Sequence, residues 1–427
     1  MSDLSLFACD LHIHIGRAGD GGPVKITASR DLTFENIAIE CVQRKGLDLV
    51  GIVDCASPRV MRDIEGMLTA GQLAPDPGGG LRYQDRLTVI LGAEFETREP
   101  GGGMSHHVGY FPTFAQLAAF SAAIAPHVTN RDLSSQACGL SAHELFTMVT
   151  ACGGLFVPAH CFTPHKSLYG ACAERIAPLF GADWEQIPAI ELGLSADTDL
   201  ADRIGELAAK TFLTNSDAHS LPKIAREYNL IRLAAPSFQE MRWALERHAG
   251  RRVEANFGLD PRLGKYHRTC CEDCGHIAQS DPPRLVCEAC GSEHVTRGVL
   301  DRIVAIADSA GGTGISPVSP PHRPPYQYQV PLQFVPGVGP VALRKLLNRF
   351  GSEMAVLHHT SETELAQTVG GKIAQLIVLA REGRLALASG GGGTYGKALT
   401  GAHAGQQALP FPPAVRPARD RDPLADG

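Results

Sequence analysis

Short apolar runs along the first half of the chain end, one after another, on His, Asp or Glu. "LFACDLHIH" closes on Asp10, His12 and His14, "LDLVGIVD" on Asp54, and "LTVILGAEFE" carries Glu94. "GGLFVPAH" stops at His160, "TFLTNSDAH" at Asp217 and His219, and "MSHHVGYFP" adds His106 and His107. A buried strand that ends on a titratable group makes sense when several such ends meet at one rim. In parallel β/α architectures that rim is where the strands finish and the βα loops begin. In H-x-H on a strand the alternate side chains share a face, so His12 and His14 point together, as do Asp217 and His219. Imidazole suits zinc, manganese or iron, and carboxylates bridge ions. The predicted centre holds two or three divalent cations (Zn²⁺, Mn²⁺ or Mg²⁺) that clamp a phosphoryl oxygen and acidify water.

The chain has 427 residues, which predicts two or three domains, and 44% of them are hydrophobic. No apolar stretch is long enough to cross a bilayer, and "MSDLSLFACDLHIH" lacks the basic flank of a secretion signal. A cytoplasmic location with no membrane partner is the expectation. Of twelve Cys, seven are scattered up to Cys172 and five crowd into Cys270–Cys290, a distribution that reads as metal binding rather than disulfides. The formal charge of −6 argues weakly against nucleic acid as a partner, but net charge hides distribution. Residues 241–268 nevertheless hold seven Lys or Arg against three acids, either a phosphate-facing patch or a solvated surface.

The alternation of strand-like runs with amphipathic stretches such as "LTFENIAIECVQRKG" places an α/β domain over residues 1–262. Within 263–300, "CEDC" and "CEAC" form two C-x₂-C knuckles whose Cys271, Cys274, Cys287 and Cys290 have the spacing of a zinc ribbon holding structural Zn²⁺. Cys270 is out of register with them. Residues 301–330 read as a Pro/Gly-rich linker, 331–388 as helical, and 389–427 as a disordered tail. In "FVPGVGPVALRKLLNRFGS", Gly337 and Gly339 precede an amphipathic helix in the manner of a helix-hairpin-helix. Its turn would offer backbone N–H groups to a DNA phosphate, with Arg344 and Lys345 adding charge. In the tail, Gln406, Leu409 and Phe411 have the Q-x-x-L-x-F spacing of peptides that dock into bacterial sliding clamps, so a clamp is an expected partner of residues 406–411.

"DLHIH", "GAEFE", "HHVGYFP", "PAH" and "SDAH" resemble the successive motifs of the polymerase-and-histidinol-phosphatase (PHP) superfamily of metal-dependent phosphoesterases. Longer strings, among them "PAHCFTPHKSLYG" and "NSDAHSLPKIAREYN", resemble the endonuclease Q family of DNA-repair nucleases over residues 9–388. The resemblance implies a distorted seven-stranded (β/α) barrel with a zinc-ribbon insert and a C-terminal helix-hairpin-helix domain. It puts His12, His14, Glu94, His107, His160, Asp217 and His219 on metal-ligand positions. Where the superfamily commonly has a His after Asp54, this chain reads "DCASP", so the expectation is either that Asp54 or Cys55 substitutes or that one metal site is weakened. The implied reaction is hydrolysis of DNA by metal-activated water, 5′ of a deaminated base (uracil, hypoxanthine, xanthine) or an abasic site. Asp217 and His160 are its expected catalytic centre, Asp217 because its carboxylate can bridge metals and orient water. His165, Lys166 and Tyr169, just past His160, are expected to touch the DNA. A small-molecule phosphoesterase, which needs no ribbon or hairpin, and a non-catalytic DNA-binding protein are the alternatives.

Overall fold

The computed structural model describes residues 3–308 and 319–402. Strand β1 (Ser5–Ile13) pairs in parallel with β2 (Leu49–Ile52), and β2 with β3 (Leu87–Arg98). β4 (Met104–Phe111) runs antiparallel to β3, and β5 (Leu155–Pro158) antiparallel to β4. β6 (Ala189–Glu191) and β7 (Thr211–Leu213) form a parallel pair. That pair is tied into the sheet on both sides: the Cys161 N–H donates to the Glu191 carbonyl at 2.9 Å, and the Ala218 N–H to the His12 carbonyl at 3.2 Å. β8 (Tyr228–Leu233) lies antiparallel on the other edge of β1, with β9 (Arg252–Gly258) beyond it.

The sheet is therefore mixed, not parallel throughout as the alternating pattern predicts. The connection between β3 and β4, residues 99–103, is far too short for the crossover a parallel neighbour requires, so the chain turns back as a hairpin. The helix predicted after Leu32 does form. Thr33 caps it by accepting from the Asn36 N–H at 3.2 Å, and the chain leaves at Gly46 with φ +79°. Phe34, Ile37, Ala38, Cys41 and Val42 are all buried, the apolar face that the spacing predicts.

Side chains of the strands divide by parity into two cores. Cys9, Leu11, Ile90, Val108, Tyr110, Leu155 and Val157 pack in the inner cluster, where the Tyr110 hydroxyl donates to the Leu11 carbonyl at 2.7 Å. Ile13, Ile52, Val89, Leu91 and Phe156 pack in the outer one, under helices Pro58–Thr69, Phe114–Ile124 and Ala142–Ala151. This parity decides which strand residues can reach the site.

The C-terminal third has its own core of Leu332, Leu346, Val356, Leu365 and Ile377 inside four short helices, Pro340–Phe350, Glu353–His358, Glu362–Val369 and Gly371–Arg381. A buried ion pair, Lys45 Nζ to Glu353 Oε1 at 2.8 Å, docks it on the sheet domain. Both ends of the expected linker are built into the fold: Val299–Ile306 is a helix, and Tyr326–Tyr328 pairs with β9. The expected disordered tail likewise begins with structure, because Lys397–Ala402 pairs antiparallel with Leu385–Ala388. Gln406, Leu409 and Phe411 lie outside the described residues. Among the described residues no helix is long and apolar enough to cross a membrane.

The basic stretch 241–268 is mostly neutralised by ion pairs with acids in the stretch and beside it in the fold. Arg242 pairs with Glu246, Arg251 with Glu240, Arg252 with Glu254, Arg262 with Asp260 and Arg268 with Asp301. Beside β9, Glu227 is fully buried. One of its oxygens accepts from the Leu259 N–H at 2.8 Å and the other finds no hydrogen-bond partner. Burial pushes its carboxyl up to about 8, from 4.5. The stability this group contributes is present below pH 4.5 and is lost as pH rises through 8. Glu227→Gln should therefore raise stability at pH 8 by on the order of 3 kcal/mol and change it little at pH 5, as read by denaturant unfolding at the two pH values.

Candidate metal centre

His12 reaches the site because β1 bulges. Cys9 and Asp10 lie opposite Leu49 and Val50, but Ile13 lies opposite Ile52, so β1 has one residue more than its partner. Leu11 packs in the inner cluster, and the extra residue lets the next side chain, His12, face the same interior. Its Nδ1 lies 2.9 Å from Glu191 Oε2. A carboxylate on Nδ1 fixes the proton there and leaves Nε2 bare, the arrangement a metal-binding imidazole needs. His14 is held the same way by Asp54, whose two oxygens are both 3.1 Å from its Nδ1. Asp54 also accepts from the Ile15 N–H at 2.6 Å. Asp54 is thus not brought among the ligand atoms, as the sequence reading expected, but orients one of the ligands. Cys55, the other expected substitute, is buried, with its thiol on the Ile52 carbonyl at 3.1 Å.

The bare nitrogens converge on carboxylates. His12 Nε2 is 3.4 Å from Glu94 Oε1 and 3.8 Å from Asp217 Oδ1, while His14 Nε2 is 3.6 Å from Glu94 Oε2 and 3.4 Å from Asp217 Oδ1. His12, His14 and Asp217 form one triad of potential ligand atoms, and Glu94, His106 and His160 a second. Glu94 lies at the junction: its Oε1 is 3.2 Å from His106 Nδ1 and 3.5 Å from His160 Nε2. That oxygen is buried and makes no hydrogen bond, although three imidazole nitrogens surround it. An orphaned carboxylate oxygen among bare imidazoles is chemically sensible when a cation sits between them, so the two donor groups fit a pair of metal ions.

His106, not His107, occupies the second triad. On β4 His106 has the parity of Val108 and Tyr110, which face inward, whereas His107 faces outward. There His107 stacks on Phe156 with ring centroids 4.9 Å apart, and its Nε2 meets Ser105 and Thr97 hydroxyls at 2.8 and 3.0 Å. Burial lowers its pKa to about 3, so it is a neutral core histidine. His106 is backed by Glu96 at 3.4 Å, and Glu96 by Lys166 at 2.9 Å. Through those two partners the Glu96 carboxyl falls to about 2. His106→Ala should therefore lose about one equivalent of bound divalent metal. His107→Ala should keep its metal and melt earlier, by about 2 kcal/mol of stability. Metal analysis and thermal unfolding of the two variants would separate the roles.

Two residues at the centre have a left-handed backbone, His160 at φ +30° and Asp217 at φ +44°. Such conformations cost of order 1–3 kcal/mol each and persist only where the surroundings impose them. For His160 the space comes from Gly193, where an added Cβ would lie 2.9 Å from the His160 Cβ. Burial alone would raise the Asp217 carboxyl, but hydrogen bonding to His14 and the His219 and His12 imidazoles hold it well below the usual range. His219 sits at the mouth, its ring 4.5 Å from that of His14, outside both triads.

Lys25 is a member that sequence reasoning missed. Its ammonium lies 3.1 Å from Glu94 Oε2, and both groups contact the Ser135 hydroxyl. It comes from the loop after β1, where "GDGGPVKITAS" offers no strand or helix pattern to mark it. Of the residues past His160, His165 and Lys166 line the cleft above the triads, which has a volume of about 290 Å³. Tyr169 does not. It is fully buried, stacked on Phe162 at 5.1 Å, and donates to Glu206 at 2.7 Å, because the loop folds back so that its N–H reaches the Cys161 carbonyl at 3.0 Å.

The four knuckle cysteines also come together. Cys271 and Cys290 sulfurs are 3.7 Å apart, and those of Cys274 and Cys287 3.6 Å. A tetrahedron with ~2.3 Å metal–sulfur bonds has edges of about 3.8 Å, so the spacing is that of a closed zinc site. Backbone N–H donors, that of Cys290 first, lower the Cys287 thiol to about 6, which favours the thiolate a metal needs. Cys270 turns its sulfur to the Cys271 carbonyl instead.

A mixed α/β sheet domain with two adjoining triads of potential metal-ligand atoms and a separate four-thiolate knuckle is the layout of a metal-dependent hydrolase. The relatives agree. The chain is 46% identical over 390 residues to the uncharacterized protein YqxK of Bacillus subtilis, covering 91% of this chain and 98% of that one. The fold matches the crystal structure of the lesion-specific endonuclease PfuEndoQ of Pyrococcus furiosus, with a TM-score of 0.77 and 31% identity over 92% of this chain and 95% of that one. It matches equally an endonuclease Q bound to a 27-mer duplex with an abasic lesion at the active site, at TM-score 0.77, with 32% identity over 92% of this chain and 96% of that one. No family model matches the chain. The chain belongs to the endonuclease Q family, and with it to the hydrolases.

Proposed function

We propose that the protein is a DNA-repair endonuclease that hydrolyses the phosphodiester on the 5′ side of a deaminated base (uracil, hypoxanthine or xanthine) or of an abasic site. The observation that carries this reading is the orphaned Glu94 oxygen at the floor of an open cleft, which faces His106 and His160 of its own triad and His12 of the other. We read the ring from β1 through β7 as the distorted barrel of the superfamily (residues 1–262), followed by the ribbon (263–300) and, past 331, a helix-hairpin-helix. In that last unit Gly337 takes φ +89° and Gly339 caps the helix Pro340–Phe350, with Arg344 and Lys345 exposed. Such a turn presents N–H groups to a phosphate without contacting bases, which suits an enzyme that must hold any duplex around a lesion.

His12, His14 and Asp217 would hold one divalent cation and Glu94, His106 and His160 another, with Zn²⁺, Mn²⁺ and Mg²⁺ all compatible with the donors. When bound, the cations polarise the phosphoryl oxygen and acidify water. The chain supplies the rest. Asp217, its side chain 29% exposed at the cleft floor and held ionised, offers a carboxylate oxygen to orient an attacking water. Lys25 offsets the negative charge of Glu94, and Lys166 and His165 at the mouth meet the DNA backbone. Arg226 fixes the Asp217 loop by donating to the Ser216 and Asp217 carbonyls at 2.7 and 3.2 Å.

The test is a panel of duplexes carrying one uracil, hypoxanthine, xanthine or abasic site, incubated with Mn²⁺ or Mg²⁺, with the cut mapped to single-nucleotide resolution. A nick immediately 5′ of the lesion is the expected result. Hydrolysis of aryl phosphates with no cutting of DNA would overturn the proposal in favour of a small-molecule phosphoesterase.

A further inference from the structure

The mouth of the cleft carries two aromatic rings from parts of the chain far from the metal triads. Tyr266 comes from the segment after β9, and Tyr395 from "SGGGGTYGK", a run that composition alone reads as disordered. The run is a built loop. Gly391 and Thr394 exchange both backbone hydrogen bonds at 3.0 Å, and Gly392 and Gly393 between them have φ of +56° and +84°. Two central residues of positive φ make the tight turn that glycine favours. The loop lies directly on the segment that carries Tyr266: Gly390, Gly393 and Gly396 N–H groups donate to the Arg262, Lys265 and Leu263 carbonyls at 2.7, 3.1 and 2.9 Å. A Cβ at Gly396 would fall 2.4 Å from the Ala388 carbonyl oxygen, so the close approach needs glycine.

What this loop accomplishes is to hold Tyr395 over the cleft. The Lys265 ammonium lies 4.9 Å from the centre of the Tyr266 ring and 5.8 Å from that of Tyr395. Tyr266 also meets His165 edge-on at 5.5 Å. On its other side Tyr395 faces Arg226, which donates to the hydroxyl at 3.5 Å and is the same guanidinium that braces the Asp217 loop. Phosphate chemistry thus belongs to the floor, and the wall beside it is aromatic and cationic.

We propose that Tyr395 and Tyr266 form the stacking wall for the nucleobase of the lesion, with Lys265 between them meeting a flanking phosphate. The inference rests on the nuclease reading of the same cleft and names its base-recognising side. A flipped base presents a π-face whatever its substituents, so an aromatic wall accepts uracil, hypoxanthine and xanthine alike. An abasic site has no base to stack, and that difference isolates the role.

The experiment compares kcat/KM of the full-length protein and its Tyr395→Ala, Tyr395→Phe and Tyr266→Ala variants on duplexes with a uracil or an abasic site. Stacking predicts that Tyr395→Ala lowers the ratio of uracil to abasic cleavage about 5- to 150-fold, the equivalent of ~1–3 kcal/mol per stacked base, and that Tyr266→Ala lowers it in the same sense. Tyr395→Phe, which keeps the ring with Arg226 5.9 Å from its centre and loses only the hydroxyl contact, should restore the wild-type ratio. An unchanged ratio in Tyr395→Ala overturns the proposal. So does an equal loss on both substrates in Ala and Phe, because that pattern marks a residue acting through Arg226. Wild-type protein that cuts neither duplex overturns the nuclease reading itself, a failure distinct from either.

Discussion

Asp217→Asn should reduce strand cleavage by ~1000-fold or more, about 4 kcal/mol in the barrier, while the protein stays folded. The carboxylate belongs to the first ligand triad and is the member of it that the cleft exposes, so its charge serves both the cation and the water. Asn keeps the shape and loses that charge. It also tolerates φ of +44°, where most residues would add strain of their own. Thermal unfolding close to wild type together with abolished nicking is the expected pair of results. A variant that keeps more than about a tenth of the wild-type rate would remove Asp217 from the chemistry.

Cys271→Ser should act elsewhere. The four sulfurs form a closed set with no open position, so a metal held there would fold the ribbon and do no chemistry. Beyond the knuckles, the segment that bears them is fixed by Asp301, which accepts from Arg268 at 3.1 Å and from the Thr269 N–H at 2.9 Å. Loss of one thiolate should release one zinc, lower the melting temperature and weaken DNA binding about tenfold or more. The rate at saturating DNA should change by less than about threefold, because the sheet domain keeps its own donor triads. Zinc analysis, unfolding and DNA titration of the one variant check all three, and a stable, zinc-replete, tight-binding protein would refute the ribbon.

The strand ends that bear His12, His14, Glu94, His160 and Asp217 were legible because a titratable group closing an apolar run is conspicuous, and all five are brought together. What sequence could not rank was adjacent choices. His106 and His107 differ only by strand parity, and parity is visible only once Val108 and Tyr110 are known to face inward. Asp54 was assigned to the metal because a carboxylate near the rim can bind it. Only geometry shows both its oxygens on the far nitrogen of His14. Glu191 and Lys25 were missed for a related reason: supporting residues need only face a ligand, and nothing in their local sequence says that they do. β4, β8 and β9 went unassigned as strands, and with them the antiparallel half of the sheet. The glycine run at 390–396 shows the limit of composition, since the same residues that disorder a free chain are required where two backbones touch.

Whether DNA cleavage needs two cations held by the residues around Glu94 is read most directly by metal add-back. Protein stripped of its labile metal but retaining ribbon zinc would be titrated with Mn²⁺ on a duplex with one abasic site, with bound metal counted at each point. The account predicts no nicking at the start, full activity as two further equivalents bind, and neither binding nor nicking recovered in Glu94→Gln. Undiminished cutting by the stripped protein, or two equivalents bound by Glu94→Gln with wild-type activity, would contradict it.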